Sequence, residues 1–480
     1  MLIGQVYSLP IDWHGVVGFD STKIAGYRKI DKANYTANAG SQEMPLGNGR
    51  HDNSSYQSYL LRLSPELIIN DAASFKAEIT TGYGRGGRLG DNSIVSNEAG
   101  WGNALYYHNT TNTNDGGTKL GLLKFYLELY SDAGTYLIGR HSMNWGLGAI
   151  YDDGEDVWDR HSFVRDGITA QIKLSSFKIT PYWAKIALEN SLTKATNSKE
   201  YGVSFLYDNS EQELALGLLY GKKKNGPQNQ SIQSGVADTS TPKTTATSQS
   251  LQQSNVKLYD IYFKKKFKKF VFAGEFAIFD GTLGFIYNGT NTSNYKAKAF
   301  LLQSDYIHNE SFKLGVNIGQ VSGDDGGTGS FDAMYLNPNF QIANLLFKYN
   351  MQAVSDPDNY NIFDSYITNT RFLKIDGEYS TTHWIFTSAF VYAKAEEVAK
   401  IGQQTLNHTT NTSFTAAADQ SDDLGYELDF GCDYKWNKEI LIGGQAGYHF
   451  VGDYFAFNNT TTPNTIANSY ILQFRISAEF

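Results

Sequence analysis

Ser469-Tyr470-Ile471-Leu472-Gln473-Phe474-Arg475-Ile476-Ser477-Ala478-Glu479-Phe480 alternates with a period of two. Tyr470, Leu472, Phe474, Ile476, Ala478 and Phe480 fall on one side, and Gln473, Arg475, Ser477 and Glu479 on the other. Successive side chains of a strand face opposite ways, so the stretch presents one apolar and one polar surface. One such strand fits a soluble sandwich as well. Its repetition along the chain does not. Leu123, Phe125, Leu127 and Leu129 alternate with Lys124, Tyr126, Glu128 and Tyr130. Phe312, Leu314, Val316 and Ile318 alternate with Lys313, Gly315, Asn317 and Gly319. Tyr426, Leu428, Phe430, Cys432 and Tyr434 alternate with Glu427, Asp429, Gly431, Asp433 and Lys435. A dry core rejects unpaired charges at such positions, whereas a water-filled lumen accepts them.

The spacing carries the same message. Strands pair through very short polar turns, such as Asn70-Asp71-Ala72-Ala73, Ser131-Asp132-Ala133-Gly134 and Asn437-Lys438-Glu439. Between the pairs lie long segments rich in Asn, Thr, Gly and Ser, at 85–118, 222–254 and 395–422. Alternation of short and long connections is the rule of a transmembrane barrel with periplasmic turns and extracellular loops. The fold class expected is therefore all-β, a single antiparallel up-and-down barrel over residues 1–480 with about eighteen strands. The first is expected at 12–30, the sixth at 161–174 and the last at 469–480. Phe340 to Met351 is apolar enough for a strand, but counting it spoils the even number, so it is expected as a loop folded against the barrel. The low-complexity stretch at about 223–254 cannot bury enough apolar surface to order itself and reads as a mobile extracellular loop.

Composition excludes several function classes. Hydrophobic residues make up 41% of the chain, yet mean hydropathy is −0.39, and no apolar run is long enough for a spanning helix. Tyr (32), Phe (29) and Gly (46) are abundant and Pro (9) is scarce, as suits strands with one lipid face and one wet face. The lone Cys432 forms no intramolecular disulfide. A net charge of −9 without a basic tail argues against nucleic acid as a partner. The run Lys264, Lys265, Lys266, Lys268 and Lys269 reads as a solvated turn between aromatic strands. Met1-Leu2-Ile3-Gly4 is no leader, so a mature form with an added start is expected, placed in a bacterial outer membrane among lipid and lipopolysaccharide.

A pore selects by its diameter and by the charges lining it. The pore-lining candidates are Arg62, Lys124, Glu128, Arg140, Arg165, Lys173, Lys374, Glu427, Asp429 and Arg475. Arg140 and Arg165 are expected on one wall. The plainer reading of this set is a salt-bridge ladder that keeps the lumen wet and stiff. Asp152, Asp153, Glu155 and Asp156 form a dense carboxylate group with some potential for Ca²⁺, although the spacing is not that of an EF-hand, and a solvated extracellular loop is the simpler expectation. His141-Ser142 and His161-Ser162 are sequence neighbours, and neighbours in a strand point to opposite faces, so neither pair serves as base and nucleophile. No enzyme and no cofactor are expected. Trp13, Trp183, Trp384 and Trp436 fall near strand ends, where amphipathic rings suit the headgroup layer. Tyr126, Tyr130 and Tyr262 are the inward aromatics on which a sugar could stack.

The closing run Tyr470, Leu472, Phe474, Ile476 and Phe480 resembles the outer-membrane barrels whose last strand is read by the barrel-assembly machinery, which the resemblance implies as a partner. A narrower resemblance is to the alginate-export barrels, which have eighteen strands. It is carried by Leu137-Ile138-Gly139-Arg140-His141 with Asn144-Trp145-Gly146-Leu147-Gly148, by Leu424-Gly425-Tyr426-Glu427-Leu428-Asp429, and by Tyr448 to Tyr454. That family's lumen is strongly basic. Here Glu66, Glu78, Glu128, Asp376, Glu378, Asp433 and Glu479 join the cations, which leaves the solute open. The function expected is diffusion of small polar solutes through a mixed-charge lumen. The rivals are a selective saccharide or organic-acid channel of the alginate-export kind, and a structural surface barrel plugged by its loops.

Overall fold

The computed structural model describes residues 11–27, 53–81, 85–89, 120–186, 198–226, 251, 253–285, 292–324, 330–350, 362–363, 365–407, 412–457 and 466–480. Eighteen antiparallel strands close into a barrel. In chain order they are β1 (Ile11–Ala25), β2 (Ser54–Asn70), β3 (Ala73–Thr81), β4 (Leu120–Ser131), β5 (Gly134–Ser142), β6 (Val164–Leu174), β7 (Phe177–Ile186), β8 (Ser198–Asn209) and β9 (Leu214–Lys224). The circuit continues with β10 (Asn255–Phe267), β11 (Phe270–Leu283), β12 (Ser293–Asn309), β13 (Phe312–Val321), β14 (Thr370–Ser380), β15 (Trp384–Ala395), β16 (Asp423–Lys435), β17 (Ile440–Val451) and β18 (Ser469–Glu479). Each strand pairs with the next, and β1 closes on β18, with Val16 opposite Glu479 and Ala25 opposite Tyr470. Backbone hydrogen bonds between Gly15 and Phe480, at 2.8 and 3.1 Å, extend that seam. Two short pieces join the sheet, Gly86–Leu89 against β2 and Ser330–Phe331 parallel to β12. The expected short-turn and long-loop ends are both present.

Closure follows from the alternation. Hydrocarbon offers no hydrogen-bond partner, so every ladder in it must be paired. The large apolar side chains of one parity lie on the outer face: Phe474 is 52% exposed, Phe430 60% and Ile168 49%. The opposite parity turns inward and is covered by chain, not by lipid; Arg165 is 1% exposed and Glu427 0%. Trp13, Trp384 and Trp436 sit outside at the short-turn end, and Trp183 towards the other. The lysine run occupies the end of β10 and the turn before β11, as its sequence suggested.

Some boundaries differ from expectation. β1 ends at Ala25, because Gly26 takes φ +70° and turns the chain, and 28–30 lie outside the described residues. β6 starts at Val164; Phe163 instead donates its backbone N–H to the Asp152 carbonyl at 3.0 Å within an irregular segment. The low-complexity loop lies outside the described residues from 227 to 250. The described part of Phe340 to Met351 is no strand. It runs through the barrel interior, where Ile342, Leu345, Leu346, Phe347 and Tyr349 are each at most 3% exposed.

Candidate channel constriction

Two irregular segments fold into the lumen: 143–163, between β5 and β6, and 332–350, between β13 and β14. The first is held by inward side chains around most of the circumference. Arg62 and Arg85 both donate to the Gly154 carbonyl, and Lys124 donates to the Asp153 carbonyl at 3.1 Å and to the Glu155 carboxylate. Arg160 reaches Asp20 at 2.7 Å, Ser58 at 2.9 Å and the Tyr59 carbonyl at 2.7 Å. Tyr151 donates to Glu200 at 2.9 Å, and Trp145 meets Tyr262 edge-on at 6.4 Å. Asp20 and Ser58 lie on β1 and β2, Glu200 on β8 and Tyr262 on β10, so the segment bridges opposite walls.

The second segment hangs from β16. Glu427 accepts the backbone N–H groups of Leu345 and Leu346 at 2.7 and 2.8 Å, and Asp429 accepts that of Asn344 at 3.1 Å. The two segments clasp each other. Asn337 donates its backbone N–H to the Ala149 carbonyl at 2.7 Å. Asn339 donates to Asp152 at 2.8 Å and to the His161 carbonyl at 2.9 Å, and accepts the His161 N–H at 3.1 Å. The apolar side chains Trp145, Ala149, Leu336, Ile342 and Phe347 form one cluster with Leu424, Tyr454 and Phe455. Apolar burial, about 25 cal/mol per Å², and this set of charge-assisted bonds hold the clasp together.

Between the clasp and the short-turn end lies a polar cavity of about 600 Å³. Its cations Arg62, Lys76 and Lys124 face the carboxylates Glu66, Glu78, Glu128, Asp153, Glu155 and Glu479, so acid predominates. Lys76 sits between Glu128 at 2.7 Å and Glu66 at 3.6 Å, and Lys124 lies 3.1 Å from Glu78. Tyr126 is the candidate sugar-stacking ring on this wall; Tyr262 is instead packed against the constriction.

Register places Arg62, Lys124, Glu128, Arg165, Lys173, Lys374, Glu427, Asp429 and Arg475 on the inner parity. Arg140 is the exception. It lies opposite Phe125 and Asp166, on the outer face, and binds Asp166 through hydrogen bonds of 2.6 and 2.9 Å. Its neighbour across the ladder from Arg165 is His141, and one residue of register is enough to reverse a face. Arg165 is fully enclosed, 3.3 Å from Glu200 and stacked over the rings of Tyr151, Tyr182 and Phe163. Arg475 pairs with Asp433 at 2.9 Å.

The acidic group is not a solvated outer loop. Asp152 holds the Gly154 N–H and Asn339, Asp153 offers its carbonyl to Lys124 and Ser162, and Glu155 binds Lys124, all inside the lumen. No group of three or more acidic, His or Cys side chains among the described residues converges as metal ligands. Asp20, Arg85, Arg160, Glu200 and Glu275, the last accepting the Leu147 backbone N–H, are structural anchors that the sequence reading passed over. The signal that could have found Asp20, Glu200 and Glu275 is their inward parity on β1, β8 and β11; nothing local marked the segments that meet them.

No family model matches the sequence, and no curated protein matches it. The structure is similar to solved barrels over nearly its whole length. OpdL of Pseudomonas aeruginosa superposes with a TM-score of 0.51 at 8% identity, covering 98% of this chain and 99% of that one. OccK8 (OprE) of the same organism gives 0.47 at 11%, covering 98% of both chains. OmpT, an outer membrane protein of Vibrio cholerae, gives 0.41 at 8%, covering 98% and 97%. The likeness is one of fold, a closed barrel of the outer-membrane type. It does not show the alginate-export resemblance.

Proposed function

We propose that the chain is an outer-membrane channel through which small polar solutes diffuse, narrowed by the clasped segments and biased towards cations by the cavity beneath them. The observation that carries this reading is the clasp itself: two segments held at mid-lumen by wall charges, with a water-accessible acidic cavity on one side. A barrel this wide needs something to narrow it before it can discriminate among solutes. Carboxylates in excess at the mouth of such a passage raise the local cation concentration. The outer-membrane location rests on the apolar outer face and the closed, internally paired wall.

The same clasp favours a second reading, a surface barrel whose lumen is shut by its own segments. Planar-bilayer recording with the purified full chain separates the two. The channel reading expects discrete steps and a reversal potential on the cation side in a KCl gradient. Silence from the wild type, together with steps from a Glu427→Ala variant, would favour the plugged barrel. Silence from both would sink the channel proposal.

A further inference from the structure

We propose that the outer face of β7 to β12, at the long-loop end, docks the phosphate groups of a phosphorylated glycolipid of the outer leaflet. This rests on the outer-membrane reading above. Lys199, Lys222, Lys224 and Lys257 share parity with Phe205, Leu218 and Tyr259, each at least 44% exposed on the outer wall. Their arrangement is unusual for a solvated surface. Lys199 lies directly opposite Lys224, Lys222 directly opposite Lys257, and Lys185 directly opposite Lys199. Side chains so paired are about 5 Å apart at Cβ, and like charges there repel. Beside hydrocarbon that repulsion is poorly screened.

Among the described residues, one carboxylate is placed opposite Lys199, Lys222, Lys224 and Lys257. Asp280 stands opposite Lys257 and is shared with Lys296, on its other side. An anion with several charges, seated outside the wall, relieves the repulsion.

Depth selects which anion. Tyr201 is directly opposite Lys222, and two residues down β9 the rings of Tyr220 and Tyr259 pack at 5.5 Å. Such amphipathic rings sit at the level of the headgroups, so the ammonium groups on long apolar stems reach the phosphate layer above them. The same faces end, at the short-turn side, in Phe177, Tyr207, Phe267 and Phe270, and the lysines there do not face one another across the ladder on the outer parity: Lys265 donates to the Gln212 carbonyl, Lys266 to Glu213 and Lys269 to the His308 carbonyl. The outward lysine pairs therefore lie at the long-loop end, on the leaflet that meets the long loops. A compact headgroup carrying two phosphates spans the neighbouring lysine pairs better than a lipid with one.

Native mass spectrometry of the full chain in detergent, titrated with bisphosphorylated lipid A, phosphate-free lipid A or phosphatidylglycerol, tests this. The wild type should retain the bisphosphorylated lipid. A Lys199→Gln, Lys222→Gln, Lys224→Gln, Lys257→Gln variant should bind it about tenfold more weakly or worse. Lys264→Gln, on the inner parity, should not change it. Equal retention of phosphate-free lipid A, equal retention of phosphatidylglycerol, or unchanged binding by the quadruple variant would overturn the proposal. Bilayer insertion and gel mobility of the same samples report separately on the barrel, so a failure of the membrane reading is seen apart from a failure of lipid docking.

Discussion

Glu427, on the barrel wall, receives the backbone N–H of Leu345, in the segment folded into the lumen, at 2.7 Å. Expected from its sequence position to line a pore and meet solutes, it is wholly buried and engaged with the chain's own backbone. The neighbouring Leu346 N–H adds a second bond at 2.8 Å. Glu427 therefore fixes the segment that crosses the lumen instead of lining an open passage.

Glu427→Ala removes both acceptors. Hydrogen bonds to a charged group contribute about 1.5–3 kcal/mol each, so the segment at 332–350 should loosen while the wall stays closed. Single-channel recordings should show higher conductance and more flicker than wild type. An unchanged trace would mean that apolar packing alone seats the segment.

Arg165→Ala leaves Glu200 enclosed without its cation, 3.3 Å from where the guanidinium stood. Removing one partner of a buried pair costs about 3–5 kcal/mol. The temperature at which the folded band disappears on a semi-native gel should fall. Arg165→Met with Glu200→Leu should restore much of the loss, since no charge is then stranded. A double variant as labile as the single would refute the pairing argument.

Gly154 takes φ +71°, and a Cβ there would meet the His161 carbonyl oxygen at 2.2 Å and Arg85 at 2.4 Å. Its own carbonyl is the acceptor for Arg62 and Arg85. Gly154→Ala therefore combines a left-handed backbone, about 1–2 kcal/mol for a residue with a side chain, with a collision at the anchor. Proteolysis of detergent-solubilised protein should cut within 143–163 in the variant and not in the wild type.

Burial, with Asp152 and Asp156 close by, pushes the carboxyl of Asp159 up to about 7. Its folded-state value lies above the ordinary 3.8, so ionisation opposes the folded segment. The penalty is absent below the ordinary value, grows as pH rises towards 7, and is complete above that. Channel noise should accordingly fall as pH drops from 7 to 4, and Asp159→Asn should remove that difference. An identical pH profile in the variant would assign the titration elsewhere.

The wall was legible because its rule is local. Each strand declares its two faces by alternation, as Phe474 and Arg475 do, and a turn such as Asn437-Lys438-Glu439 marks where the next begins. Arg140 shows the limit. Its charge suggested the lumen, but a one-residue register, together with Asp166 across the ladder, puts it outside. The constriction was half legible: the apolar run from Phe340 had no place in an even-stranded wall, which made it a loop folded against the barrel, and the structure puts it inside. Where it would be held was not readable, because Glu427 meets Leu345 across 82 residues of chain, and no local pattern encodes that meeting. The acidic group misled for the converse reason. Asp152 to Asp156 looks like water-loving loop until Arg62, Arg85 and Lys124 are known to face the same space.

The seam between β1 and β18 bears on how the molecule is built. Those strands are the most distant in the order of synthesis, yet they must zip together over ten residue pairs before the wall has no open rim. Until then two unpaired edges face outward, each a template for a foreign strand. The circle is sealed by its two extremes, so a defect in either β1 or β18 leaves the other seventeen strands as an open ribbon instead of a slightly smaller tube.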